Sequence, residues 1–201
     1  MLLVSHDSAA RAAIFGTIGA GVVAELAATY YRRRDLFRTG RTHSPADRGT
    51  KQVVVVALVG AILASVFIAS SAHALRAGAN TWATLGLGIA VLAAGEGLRV
   101  WAVFTLGRFF RREVTIVSGH TVVETGPYRL VRHPAYLGDL LIAFGFGLAW
   151  GSWVGAAVAL VIALVGHLPR IRVEEAALRE ALGEPYERYA SRHARLLPGV
   201  W

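Results

Sequence analysis

The sequence predicts an all-α integral membrane helical bundle of about five transmembrane helices, the last two folded into a C-terminal helical hairpin. Three observations lead there. Hydrophobic residues make up 55% of the 201 positions and charged residues 17%, with a mean hydropathy of +0.49, a balance outside that of a soluble domain of this length. The apolar residues come in runs long enough to cross about 30 Å of hydrocarbon at about 1.5 Å per residue. The 21 basic residues gather at the ends of those runs.

The first run covers 12–31 (AAIFGTIGAGVVAELAATYY) and follows MLLVSHDSAAR. That opening stretch has an acid and no basic segment ahead of the apolar run, unlike a cleaved signal peptide, so the run is expected to stay. The second and third runs are 53–75 and 81–106. The next apolar stretch, 135–168, is interrupted at Gly151-Ser152-Trp153. It leaves two runs of about 16 residues, shorter than the usual span of about 20, which reads as a tight hairpin with Trp150 and Trp153 at the far interface. Gly16, Gly19 and Ala20, Gly86 and Ala90, and Ala93 and Gly97 are small residues expected to let helix backbones approach closely.

Seven basic residues lie between the first two spans, five between 108 and 132, and six from 170 onward; the opposite side receives Arg11 and Arg76, and Arg99 lies inside a span. This 18-to-2 split predicts that Arg41, Gly119 and the C-terminus are cytoplasmic while Met1 and Gly78 are external. Five crossings satisfy that parity. The net charge of +8 then belongs to contacts with membrane lipids rather than nucleic acid. With no cysteine there is no disulfide, thiolate nucleophile or cysteine-ligated metal, and no H-E-x-x-H spacing appears, so no metal is expected. Gly145-x-Gly147 lacks the preceding strand and third glycine of a dinucleotide fingerprint.

The stretch GPYRLVRHPAYLGDLL, 126–141, breaks the apolar pattern. Pro134 suits a first helical position, which makes His133 the capping residue. A helix N-terminus there offers N–H groups and partial positive charge to a carboxylate or phosphate. Tyr136 falls about one turn inside, on the side of His133. Taken alone, Arg129, Arg132 and Tyr136 also fit a snorkelling and aromatic interface belt. Past the hairpin, Arg170 and Glu174 share one helical face, a spacing that equally fits an exposed ion pair.

Taken together, Gly107 followed by Phe109, GHTVVETGPYRLVRHPAYLG, the Arg-x-x-x-Glu-Glu after the hairpin and LGEPYERYASR resemble the isoprenylcysteine carboxyl methyltransferase and phospholipid methyltransferase family of integral membrane methyltransferases, over about residues 100–201. The resemblance implies S-adenosylmethionine as cofactor, held at the cytoplasmic ends of the last helices and their loops. It divides the chain into N-terminal transmembrane helices, 1–106, and a catalytic half, 107–201, with cofactor-binding loops, hairpin and C-terminal tail. Carried over by position, cofactor contacts fall on Glu113, His120, Thr121, Val122, Val123, Tyr128, His133, Pro134, Ala135, Tyr136 and Glu174. The contact with the substrate carboxylate falls on Arg170.

A sulfonium methyl is already activated, so in-line displacement needs neither metal nor covalent nucleophile; the protein must exclude water and hold the attacking atom roughly 3 to 3.5 Å from the methyl. Glu174 is expected to meet the cofactor's ammonium, His133 and the helix N-terminus its carboxylate, and Val122, Val123 and Tyr128 its adenine. Arg170 is expected to position an anionic acceptor entering from the bilayer. A carboxylate acceptor needs no general base, whereas an amine must arrive deprotonated or lose a proton to the site.

The acceptor is thus expected to be a lipophilic small molecule or lipid-linked group, with O-methylation of a carboxylate as the leading reaction. Phospholipid N-methylation stays open, as does an NADPH-dependent membrane reductase of the sterol reductase type, in which Arg129 or Arg132 would meet the 2'-phosphate. A non-catalytic scaffold is the remaining class. Nothing in the sequence indicates an oligomeric state. Inside the apolar runs, Glu96, Arg99, Asp139, Glu25 and His167 sit where charge is costly unless paired. Glu96 and Arg99 can neutralise each other at i,i+3 or line an acceptor tunnel, and Asp139 can pair with Arg99 across the bundle or face the acceptor.

Overall fold

The computed structural model describes residues 7–36, 49–71, 81–109 and 121–197. Six α-helices run through them: α1 Ser8–Leu36, α2 Thr50–Ser71, α3 Thr81–Leu106, α4 Pro134–Ala149, α5 Trp153–Leu182 and α6 Glu184–Arg192. Short 3-10 turns occupy Gly107–Phe109 and Gly126–Arg129. The only β pairing among the described residues is an isolated parallel bridge between Val131 and Ala194. Helices α2, α3 and α5 are long and apolar enough to cross a membrane, and Ser8–Ala24 of α1 and α4 are shorter apolar helices. This is the all-α membrane bundle the sequence predicts. Val56, Leu63 and Phe67 of α2 and Trp101 and Phe104 of α3 stay exposed, as side chains bathed in lipid do.

Asp7 starts α1 by accepting the Ala9 N–H at 2.8 Å and the Ala10 N–H at 3.2 Å on its Oδ1, the service an N-cap carboxylate performs for a helix's unpaired donors. At the hairpin, Gly151 takes φ 90°, a conformation that suits a residue without Cβ. Its N–H donates to the Leu148 carbonyl at 2.8 Å and that of Ser152 to Gly147 at 3.1 Å, closing α4. The fully buried Ser152 then caps α5, its Oγ accepting the Gly155 N–H at 3.0 Å.

The hairpin is less even than its sequence suggests. Helix α5 does not stop near 168 but continues through Pro169 to Leu182, about 45 Å at 1.5 Å per residue. Pro169 removes one backbone donor without ending the helix, and the Arg, Glu, Ala and Leu residues beyond it favour helix strongly. The charged stretch after the apolar run is therefore an extension of the same rod, and it carries Arg170, Glu174 and Glu175.

Helix α4 lies at the centre: eleven of its sixteen residues are buried, against four of the 22 in α2. Its partner α3 buries Leu85, Gly88, Leu92, Gly95 and Ala102, spaced by threes, fours and a seven. The seam between them is backbone against backbone. A Cβ added to Gly145 would stand 2.6 Å from the Leu92 nitrogen, and one on Gly138 would stand 2.7 Å from the Gly95 carbonyl oxygen. Gly147 faces the other way, its Cβ position 2.5 Å from the Ala156 Cα of α5, so Gly145-x-Gly147 packs two different helices.

The small residues singled out from the sequence do not make this seam. A Cβ on Gly16, Gly19, Gly86 or Gly97 meets nothing within 4 Å, and Ala20, Ala90 and Ala93 are exposed. Their spacing is helical, but their phase puts them on the outer face, away from the one that Leu85 and Leu92 bury.

The tail returns to the start of α4. Helix α6 buries Tyr186 and Tyr189, and the Tyr189 hydroxyl donates to the Tyr128 carbonyl at 2.7 Å. Burial foremost, then the neighbouring Tyr186, raises the pKa of that phenol, keeping it a donor. Beyond α6 the N–H groups of Arg132 and His133 donate to the carbonyls of Ala194 and Arg195 at 2.8 and 3.0 Å. Leu196 anchors the strap in the core beside Leu140 and Ile171.

Candidate functional site

Pro134 occupies the first position of α4 and His133 its N-cap, so the chain turns here where the sequence predicts. The His133 ring stands between two carboxylates, with Nε2 3.2 Å from Glu175 Oε1 and Nδ1 3.9 Å from Glu174 Oε2. Tyr136, one turn along, stacks on His133 with ring centres 5.4 Å apart and planes 12° apart. Its other neighbour is His167 of α5, at 5.1 Å and 56°.

The Tyr136 hydroxyl is where the two charged residues of α5 meet. It donates to Glu174 Oε2 at 2.5 Å and accepts from Arg170 Nε at 3.3 Å. Arg170 also donates through Nη1 to Thr50 Oγ1 at 3.3 Å. Arg170 is 5% exposed, so the solvent-exposed ion pair that the i,i+4 spacing also allowed is not what forms. The Glu174 side chain keeps 29% of its surface open.

Glu175 is different. At 1% exposure it gathers Arg132 Nη1 at 2.8 Å, His133 Nε2 at 3.2 Å, Arg179 Nη2 at 3.2 Å and Arg195 Nε at 3.1 Å. A buried carboxylate needs such partners, because desolvation otherwise disfavours its charge. Arg132 is thereby tied inward, while Arg129 is exposed. Sequence reasoning passed over Glu175 and Arg195; the only local signal was the i,i+4 spacing of Glu175 and Arg179.

Beside Tyr136 lies an apolar cluster of Ala102, Tyr128 and Ala135, with Leu106 and Val123 against it. Three residues expected at the cofactor, Val123, Tyr128 and Ala135, are thus brought together. Gly126, at φ 58°, lets the turn before Tyr128 lie on α3, its Cβ position 2.7 Å from Thr105 Oγ1. Burial first, and then the charge of Glu174, raises the pKa of the Tyr128 phenol, with Arg99 acting against them. Pro134 is buried, Val122 half-buried and Thr121 exposed. Glu113 and His120 lie outside the described residues.

Deeper in the bundle, Arg99 Nη1 reaches both oxygens of Asp139 at 2.8 Å, the cross-bundle pairing among the sequence alternatives. His167 Nε2 lies 3.1 Å from Asp139 Oδ2, a residue pairing the sequence alone did not suggest. Chemically, the site offers an open carboxylate at Glu174, a buried guanidinium at Arg170 and an aromatic-lined apolar floor. That suits a ligand with a cationic end and a flat apolar part, next to one bearing an anion.

Residues 87–180 match the model of the family described as the isoprenylcysteine carboxyl methyltransferase (ICMT) family. A probable protein-S-isoprenylcysteine O-methyltransferase of Oryza sativa subsp. indica is 31% identical over 121 residues, covering 59% of this chain and 63% of the relative. Protein-S-isoprenylcysteine O-methyltransferase A of Arabidopsis thaliana is 32% identical over 121 residues, covering 59% and 61%. The chain thus spans about three fifths of the length of these curated relatives. A solved structure of the eukaryotic intramembrane Ras methyltransferase ICMT shares the fold, with TM-score 0.56 and 22% identity over 80% of this chain and 55% of that one.

Proposed function

Because residues 87–180 match the model of the isoprenylcysteine carboxyl methyltransferase family, we propose that this chain is a member of it, an S-adenosylmethionine-dependent membrane methyltransferase that O-methylates a carboxylate on a lipophilic acceptor. The isoprenylcysteine named for its relatives is the leading form of that acceptor. One observation carries the reading: the hydroxyl of Tyr136 stands between a buried guanidinium, Arg170, and a partly open carboxylate, Glu174.

The residues fit the cofactor. Glu174 offers negative charge at an open edge of the site for the ammonium, and the cluster of Val123, Tyr128 and Ala135 offers an apolar bed for the adenine. Glu113, His120, Thr121 and Val122 complete the cofactor contacts that the family resemblance implies. The first turn of α4, from His133 through Tyr136, lends partial positive charge to the cofactor's carboxylate. When bound, the cofactor supplies an activated methyl group on a sulfonium.

The chain's own residues then have three tasks. Arg170 grips the acceptor carboxylate with a planar fork and orients one oxygen for attack. The helix walls and the bilayer exclude the water that would compete. No proton has to move, because the acceptor carboxylate enters already ionised and is itself the nucleophile. The site is assigned to the cytoplasmic face from the 18-to-2 distribution of cations.

Detergent-solubilised protein titrated with S-adenosylmethionine, its demethylated product and NADPH tests the cofactor. The first two are expected to bind saturably; saturable binding of NADPH alone overturns the proposal. Methyl-labelled cofactor with a native lipid extract tests the acceptor. Label released by mild base marks an ester, and base-stable label replaces carboxylate O-methylation with N-methylation.

A further inference from the structure

Asp139 lies more than a turn inside α4 and is 7% exposed, where a charge is costly unless the structure uses it. Its carboxylate joins three helices. Arg99 of α3 reaches both oxygens at 2.8 Å and His167 of α5 reaches Oδ2 at 3.1 Å. His167 is fully buried, and its Nδ1 donates to the Ala163 carbonyl at 2.7 Å. Held at both nitrogens, the imidazole is fixed in rotation as well as position.

That ring rests against Tyr136 at 5.1 Å, and Tyr136 also stacks on His133 at 5.4 Å. His133 has its own carboxylate, Glu175, at 3.2 Å. Tyr136 is therefore held by a clamp of two imidazole contacts, each ring fixed by a separate acid. The hydroxyl of the clamped ring is the oxygen that Arg170 Nε and Glu174 share.

We propose that Asp139 is a positioning residue: by fixing His167 it fixes Tyr136, and through the Tyr136 oxygen it sets the Arg170 guanidinium for the acceptor. The effect falls on Arg170 more than on Glu174. Arg170 is buried one turn from His167 on the same helix, whereas Glu174 lies a further turn out and is partly open. The kinetic consequence rests on the methyltransferase reading, while the clamp itself does not.

A double-substitution cycle on the full chain in detergent tests it. Asp139→Asn is expected to lower kcat/KM for the acceptor by about ten- to a hundredfold, the scale of a small misplacement at a reacting centre, with cofactor Kd changed by less than about threefold. In a Tyr136→Phe background the same substitution is expected to cost less than about twofold, because residues acting through one another are not additive. Equal losses in both backgrounds make Asp139 a generic helix tie and overturn the proposal, as does a loss confined to cofactor affinity. Should Asp139→Asn not fold, His167→Gln, which leaves Arg99 and Asp139 in place, poses the same question.

A second readout needs no turnover. With tyrosine labelled by ¹³C at Cζ, the Tyr136 signal is identified by its disappearance in Tyr136→Phe, and it is expected to shift in Asp139→Asn and His167→Gln. An unmoved signal overturns the clamp whatever the activity. A wild-type protein that transfers no methyl group overturns the proposed function and leaves this readout to decide the clamp.

Discussion

In the seam between α3 and α4 the helices touch through backbone, with glycine wherever a side chain would intrude. At the charged end the chain is held instead by long side chains converging on Glu175 from the loop before α4, from α5 and from the tail. The seam fixes helix spacing and has no adjustable part. The charged end contributes little until every partner is present, because each buried charge is stabilised only by the others. The contrast also separates two adjacent residues of α5: Glu175 is consumed by structure, and Glu174 keeps an open face.

The largest expected effect breaks the charged end. Glu175→Gln removes the buried counter-charge that Arg132, Arg179 and Arg195 share and should cost about 3 to 5 kcal/mol of stability, read as a fall in the thermal midpoint of solubilised protein and in the yield of folded chain. Glu174→Gln should leave that midpoint nearly unchanged and weaken cofactor binding by about 1.5 to 3 kcal/mol, one to two decades in Kd. Loss of stability equal to that of the Glu175 variant would erase the distinction between the two acids. Arg170→Ala should keep cofactor affinity and lose acceptor turnover, and Arg170→Lys should restore it poorly, since a point charge does not reproduce a planar fork.

Next in size is the seam. Gly145→Ala should cost about 1 to 3 kcal/mol, because the added carbon meets the Leu92 backbone rather than a yielding side chain. Gly97→Ala, on the outer face of α3, should cost nothing and gain up to about 1 kcal/mol in helix propensity. Opposite signs in melting experiments sharpen the seam; equal signs remove it. The smallest effect is expected at the exposed pair of Arg188 and Glu184, 2.6 Å apart, where Glu184→Gln should stay within about 0.5 kcal/mol.

The helices were legible in the sequence because apolar runs and their breaks are local signals, and Pro134 and Ser152 announce helix starts by their own chemistry. Which glycines form the seam was not, since helical spacing gives period without phase, and the phase depends on which face the neighbouring helix occupies. The length of α5 was masked by a change from apolar to charged composition that alters the helix's surroundings and not its backbone. At the site, Arg170, Glu174, Tyr136 and His133 were identified through the family resemblance, their spacing alone fitting an interface belt and an exposed ion pair, and they do stand together. Glu175 was missed because its partners Arg132 and Arg195 are distant in sequence and meet it only through the fold; His167 was missed as a partner of Asp139 for the same reason.

The strap formed by Ala194 and Arg195 over Arg132 and His133 has a consequence for the order of assembly. The loop leading into α4 is synthesised before α4, α5 and α6, and the segment that closes it is synthesised after all three. Both arms of the hairpin are therefore made while the entrance to α4 is still unsealed, and the four-way grip on Glu175 is completed only when Arg195 arrives. Closure of the entrance to α4 thus waits on the last of these segments to be made.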